Sequence, residues 1–167
     1  GLPDQGETDI VGLLFEPLPS MVVAHYLGVP EQDRGQFDGW TEAVVGATSG
    51  IGGPAAAAEQ AGAATLEMLA YFTELVEYRK RHPGDDTVSG LVRAGFADGD
   101  PSRLLAILAF TFTMVAGGND TTTGMLGGSV ALLHENPDQR RLLIDDPQRI
   151  PAAVDELLRL TSPVQGL

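Results

Sequence analysis

The feature that most constrains the fold is an apolar segment that is interrupted in its middle. Residues 104–116 lead into the interruption and residues 129–133 lead out of it. Between them, the stretch from Met114 to Gly128 reads Met-Val-Ala-Gly-Gly-Asn-Asp-Thr-Thr-Thr-Gly-Met-Leu-Gly-Gly. It carries five glycines, one carboxylate and three threonines. A glycine inside a helix costs about 1 kcal/mol relative to alanine. An aspartate among apolar neighbours is costly unless something compensates it. A chain that keeps both in its most apolar segment is expected to keep them for a site.

A membrane span is long enough to be considered, since about 20 apolar residues suffice. Asn119, Asp120 and three threonines in the middle argue against it, as does the absence of flanking basic clusters. The formal charge is −13, from 10 basic and 23 acidic residues. That balance excludes a nucleic-acid partner, which needs a basic surface, and disfavours an anionic membrane. No cysteine is present, so disulfides and thiolate ligands within the chain are excluded. With no targeting segment visible, a cytoplasmic location is expected. Gly1 at one end and Pro163-Val-Gln-Gly-Leu167 at the other read as the edges of a fragment.

Hydrophobic residues make up 43% of the chain, rich in alanine and leucine and poor in aromatics, which favours helix. Asp9 is a plausible cap for a helix kinked by Pro17 and Pro19 and ended by Gly28. Residues 30–33 open a second helix with Phe37, Trp40, Val44 and Val45 inward, and residues 46–53 read as a loop. After Pro54 comes a long amphipathic helix with Ala61, Thr65, Met68, Leu69, Phe72, Leu75, Val76 and Arg79 on one stripe. Glu77 can pair there with Arg81. Asp85-Asp86 caps a short helix, and residues 95–100 form a turn or small hairpin. A central helix is expected over about 102–134, a short one over 137–143 and a last one over about 147–161. With no strand and no repeat, 1–167 reads as one all-α unit.

Two readings of the central interruption stand side by side. In one, Gly117-Gly118 thins one face of a buried helix so that a flat ligand or another backbone comes close, and Asp120 beside Thr121 relays protons. In the other, the glycines end one helix and Asp120 or Thr121 caps the next. Gly124 and Gly128 would admit a neighbouring helix. On the last helix Glu156 and Arg159 are placed to pair, on the face opposite Ile150, Ala153, Val154, Leu157, Leu158 and Thr161. The pattern alone makes them an exposed pair.

In this order, the motifs resemble the cytochrome P-450 family of heme-thiolate monooxygenases, in its soluble bacterial form. Ala116-Gly-Gly-Asn-Asp-Thr-Thr122 is similar to that family's oxygen-activation motif, and Glu156-Leu-Leu-Arg159 to its Glu-x-x-Arg motif. Glu16-Pro-Leu-Pro19, Leu27-Gly-Val-Pro-Glu31, Asn136-Pro-Asp138 and Arg149-Ile-Pro-Ala-Ala153 add to the likeness, which spans nearly the whole chain.

The resemblance implies an all-α fold, the central helical portion of the cytochrome P-450 fold (its helices E to K), with little or no β. Residues 31–81 would be lid helices, 102–134 the oxygen-activation helix and 147–161 the Glu-x-x-Arg helix. Asp120 and Thr121 would be the catalytic acid–alcohol pair that delivers protons to dioxygen. Ala116, Gly117, Gly118, Thr121 and Thr122 would lie against heme b. Thr113, Met114, Ala116 and Val164 would line the substrate pocket. Glu156 and Arg159 would serve the fold by bonding a loop outside this chain. The parent protein would take a small organic substrate, O2 and electrons from NAD(P)H through a ferredoxin-type redox partner.

The chain also departs from the family. The iron-ligating cysteine is missing, no metal ligand is expected within the chain, and His25, His82 and His134 are poor substitutes. The chain alone is therefore expected neither to retain heme nor to turn over. A different reading makes it a non-catalytic helical interaction module that self-associates through apolar faces.

Overall fold

The computed structural model describes residues 6–49, 54–97 and 99–163. The helices are α1 (Pro17–Leu27), α2 (Arg34–Ser49), α3 (Pro54–Arg81), α4 (Thr87–Leu91), α5 (Pro101–Gly118), α6 (Asp120–Glu135), α7 (Pro137–Asp145) and α8 (Ile150–Thr161). Among the described residues there is no strand. The chain divides into two compact units, Pro17–Asn119 and a second made of 1–16 with 120–167.

Local chemistry sets the helix ends. Asp9 Oδ1 accepts from the amides of Val11 (3.0 Å) and Gly12 (3.3 Å), opening a π-helical turn over Val11–Phe15. Proline at 17 separates that turn from α1, since it has no amide to donate. Asp100 Oδ1 accepts from the Ser102 amide at 2.9 Å, ahead of Pro101. Asp146 does the same for Gln148 at 3.3 Å before the short 3-10 turn Pro147–Arg149 that leads into α8.

Two expectations change and one narrows. Residues 46–49 continue α2 instead of forming a loop, and 50–53 lie outside the described residues. Of the turn and the hairpin, the turn is what forms: it follows a π-helical turn over Val92–Phe96, with Gly95 and Gly99 at positive φ. Glu77 pairs with Lys80, at 2.5 Å, while Arg81 reaches only the Glu77 carbonyl. The shorter lysine arm finds the carboxylate one residue nearer, still on the same helical face.

In the unit Pro17–Asn119, α2 and α3 pack along most of their length. Phe37, Trp40 and Val44 of α2 meet Met68, Phe72, Leu75 and Val76 of α3, all buried. Val23, Ala24 and Leu27 of α1 and Ile107, Leu108 and Val115 of α5 complete the core. Polar ties cross it at the rim. Ser20 Oγ donates to Asp38 Oδ1 (2.6 Å), Trp40 Nε1 to Glu67 Oε2 (3.0 Å) and the Tyr71 hydroxyl to Asp33 Oδ2 (2.9 Å). Burial first, and then the bond to Asp33, push the Tyr71 phenol well above its usual range.

One node joins α1, α3 and α4. Asp86 caps α4 through Oδ1, which accepts from the Ser89 amide at 2.7 Å. Its Oδ2 lies 2.9 Å from Arg79 Nε, and both side chains are largely buried. Arg79 Nη2 in turn donates to the Gly28 carbonyl at 3.0 Å. Gly28 holds φ +82°, and a Cβ there would lie 2.5 Å from Asp86 Cγ.

In the other unit α6 packs against the turn Val11–Phe15, α7 and α8. Thr123 Oγ1 donates to the Phe15 carbonyl at 2.9 Å. A Cβ at Gly128 would lie 2.7 Å from Thr161 Cγ2, and one at Gly124 3.5 Å from Pro163 Cβ. The two glycines do admit the end of α8.

Removing one partner of a buried ion pair leaves the other uncompensated. Asp86→Ala is expected to cost about 3–5 kcal/mol in urea unfolding. A double variant with Arg79→Leu should be less destabilised than the sum of the two single changes.

Candidate functional site

Helix α5 buries one stripe, Ile107, Leu108, Thr111 and Val115. Residues four apart lie on one face of a helix. Leu105, Ala109, Thr113 and Gly117 make the row turned outward, and all four are exposed. Thr113 Oγ1 donates to the Ala109 carbonyl at 2.8 Å. Met114 and Ala116 are half-buried and pack against the core. Pro101–Glu135 is long and apolar enough by length and composition to cross a membrane, as core helices of globular proteins also are.

The two adjacent glycines differ. A Cβ at Gly118 would come within 2.9 Å of Val23 Cγ2, so that glycine exists for the approach of α1. A Cβ at Gly117 would meet nothing within 4 Å. Gly117 therefore leaves room for a side chain at the end of the exposed row among the described residues.

The interruption falls at Asn119, one residue beyond the glycines. Both glycines stay within α5, and Asn119, the one residue between α5 and α6, keeps right-handed helical dihedrals at φ −92°, ψ −68°. No loop separates the two helices. The asparagine is 5% exposed, and its Nδ2 donates to the Val115 carbonyl at 2.7 Å. Sequence reasoning passed over Asn119, although an amide in the centre of the most apolar segment was the available signal.

Asp120 opens α6, and Thr121 and Thr122 follow half-buried. The Asp120 side chain is exposed by area, yet partial desolvation holds its carboxyl above the usual carboxylate range. A carboxyl raised in this way binds its proton more readily than an ordinary one, which suits proton exchange. The expected residues thus fall in two groups: Thr113, Met114, Ala116, Gly117 and Gly118 in the unit Pro17–Asn119, and Asp120, Thr121 and Thr122 in the other. Val164 lies outside the described residues.

On α8 the Arg159 guanidinium grips Glu156 with two bonds, Nε to Oε2 at 2.8 Å and Nη2 to Oε1 at 2.6 Å. The hydrogen bond holds the Glu156 carboxyl below its usual range and Arg159 above its own. Both side chains are exposed, Arg159 67% and Glu156 55%. Glu156 stands at the edge of an open groove of about 510 Å³ walled by Leu132, Leu142, Leu143, Ala153 and Leu157. Among the described residues no three His, Cys, Asp or Glu side chains cluster as metal ligands. His82 stacks on Tyr78 and His25 packs edge-on against Tyr26.

The chain is similar to known proteins. Cytochrome P450 130 of Mycobacterium tuberculosis is 64% identical over 163 residues, which are 97% of this chain and 39% of that protein. The chain belongs to the bacterial cytochrome P-450 family. Vitamin D(3) 25-hydroxylase of Pseudonocardia autotrophica is 32% identical over 164 residues, again covering 39% of its length. The ligand-free structure of cytochrome P450 TbtJ1 matches 95% of this chain with a TM-score of 0.81 at 32% identity, over 42% of that structure. The open form of the P-450 EryK from S. erythraea matches 93% with a TM-score of 0.75 at 34% identity. No family model matches the chain. The chain spans about 39% of the length of the curated relatives it matches.

The family carries heme, and the residues present fit it on one side. The bare helix surface at Gly117 lets a flat macrocycle approach the backbone, with nothing within 4 Å of an added Cβ. These 167 residues include no cysteine, so they supply no axial thiolate.

Gly117→Ala should be neutral or stabilising by up to about 1 kcal/mol in thermal unfolding, because only helix propensity changes. Gly118→Ala should instead destabilise by about 1–3 kcal/mol as its methyl meets buried Val23. A second prediction concerns pH. A carboxyl whose folded pKa lies above its unfolded one binds its proton more tightly when folded, so it lowers stability as pH rises between the two values. Asp120→Asn should therefore gain stability over the parent as pH rises through and above the usual carboxylate range. No difference of this origin should remain below that range.

Proposed function

We propose that this chain is the oxygen-side part of a heme-dependent monooxygenase. The whole protein would insert one atom of O2 into a small organic substrate, using electrons from NAD(P)H delivered by a ferredoxin-type partner in the cytoplasm. The observation that carries this reading is Gly117. It is a helical glycine at which an added Cβ would meet nothing within 4 Å among the described residues, followed after one residue by Asp120 and Thr121, in a segment 64% identical to Cytochrome P450 130.

Bound heme b would supply the iron that binds and reduces dioxygen. The chain's own residues would do the rest. Ala116 and Gly117 would lie against the macrocycle's oxygen side, as would Thr121 and Thr122, while Gly118 is taken up by the approach of α1. Asp120 would take protons from solvent, and its raised pKa supports that role. Thr121 would pass them on from its hydroxyl, since an alcohol both donates and accepts. Thr113, Met114, Ala116 and Val164 would line the substrate space. Glu156 and Arg159, paired with each other but open to solvent, would bind backbone of a loop outside this chain and so tie α8 into the complete domain.

Without a thiolate the 167 residues alone would neither retain heme nor turn over. A second reading, self-association, is favoured by the exposed apolar side chains Leu105 (63%), Ile144 (68%) and Leu160 (50%). Light scattering of the isolated chain should show dimers or larger species, and a monomer at high concentration would count against it.

The main test is a graft. This chain replaces the matched segment of Cytochrome P450 130. The graft should show the CO-difference band of a thiolate heme, and the isolated chain should not. A band from the isolated chain would overturn its inability to hold heme, and a graft that binds no heme would overturn the assignment as a P-450 core segment. In the graft, Asp120→Asn and Thr121→Ala should each lower product formation by about 100-fold, with electrons diverted to peroxide.

A further inference from the structure

Thr41, Thr65, Thr73, Thr113 and Thr161 each donate to the carbonyl four residues back on their own helix, the usual local bond of a helical threonine. Thr123, in the first turn of α6, does otherwise. Its Oγ1 donates at 2.9 Å to the Phe15 carbonyl, 108 residues away in sequence. Phe15 is 5% exposed and ends the turn Val11–Phe15, against which α6 packs. In a helix the donor to that carbonyl is the amide four residues on. Residue 19 is proline, which has no amide. The threonine hydroxyl reaches the carbonyl that lacks this donor.

Helical geometry gives the bond a direction. At roughly 100° per residue, Thr121 lies about 200° around the axis from Thr123. The two threonines occupy opposite faces of the first turn of α6. Holding residue 123 against the turn Val11–Phe15 therefore turns residue 121 away from it.

We propose that Thr123 is a positioning residue for Asp120 and Thr121. Its bond to the Phe15 carbonyl fixes the rotation of the first turn of α6, and with it the direction of the Thr121 hydroxyl. Thr123 acts through the helix and not by contact with the reacting atoms. The anchor belongs to the packing of this chain, while its effect on proton delivery rests on the function proposed above, so the two are read separately.

The anchor is read from thermal unfolding of the graft, with or without heme. Thr123→Val keeps the size of the side chain and removes the donor, and it should lower the midpoint by about 2 °C. Pro19→Ala gives the Phe15 carbonyl a helix amide, so in that background the valine should lower the midpoint by clearly less. Equal drops in the two backgrounds, or no drop in either, overturn the anchor.

The positioning is read from turnover. In the graft, Thr123→Val should leave the CO-difference band intact, lower product formation by about tenfold and divert the electrons to peroxide. Thr123→Ser keeps the hydroxyl and should return the product-to-peroxide ratio of the unmutated graft. An unchanged ratio in the valine variant, or a serine variant that behaves like it, overturns the positioning. A valine variant that binds no heme is tested again with Pro19→Ala, where heme still absent or an unchanged ratio overturns it equally. A graft that binds no heme with Thr123 intact instead marks failure of the proposed function, and the unfolding comparison then still decides the anchor.

Discussion

Contact between Val23 of α1 and the bare backbone at Gly118 governs the geometry of α5. A methyl at residue 118 would reach to 2.9 Å of Val23 Cγ2, so α1 sits as near as a helix without a side chain allows. From there the stripe Ile107, Leu108, Thr111 and Val115 follows inward at helical spacing. The opposite row, ending at Gly117, is turned outward as a consequence. The exposed glycine and the buried asparagine both take their places from that one packing choice, since rotation about a helix is shared by all its residues.

Much of the local structure is legible in the sequence because its causes are local. Asp9, Asp86, Asp100 and Asp146 cap the turns they precede, and each does so with an oxygen to an amide two or three residues on. The exposure of Glu156 and Arg159 follows from counting around a helix. Features that depend on distant neighbours do not read out. Gly46 belongs to α2 although glycine costs about 1 kcal/mol in a helix, a penalty too small to end a helix by itself. The ties from Trp40 to Glu67 and from Tyr71 to Asp33 join residues that no spacing rule connects. The same limit hid the division of labour between Gly117 and Gly118. The two are identical in sequence context and distinguished only by what lies opposite each.

The candidate site was legible in composition before it was legible in geometry. Polar residues in the most apolar segment mark the place, but the structure puts the junction of α5 and α6 at Asn119 and gives each neighbour its own surroundings. Asp120 is shifted by partial desolvation and not by a charged partner. This matters chemically, because a carboxyl raised by weak burial stays able to exchange its proton with solvent. One locked in an ion pair, as Glu156 is with Arg159, is held ionised.

The node at Asp86 has a consequence for how the sequence can vary. A Cβ at Gly28 would lie 2.5 Å from Asp86 Cγ, and one at Gly84 2.5 Å from its Oδ2. The carboxylate is thus wedged between two backbones that carry no side chains, while Arg79 closes the remaining side. No member of this group can grow unless another shrinks. Glutamate at 86 or alanine at 28 or 84 would each be rejected singly, so change at this joint requires paired substitutions. Drift at these positions should therefore be epistatic: an alanine at 84 becomes tolerable only on a background that has already given up the aspartate, while at 28 the φ of +82° disfavours any side chain even then.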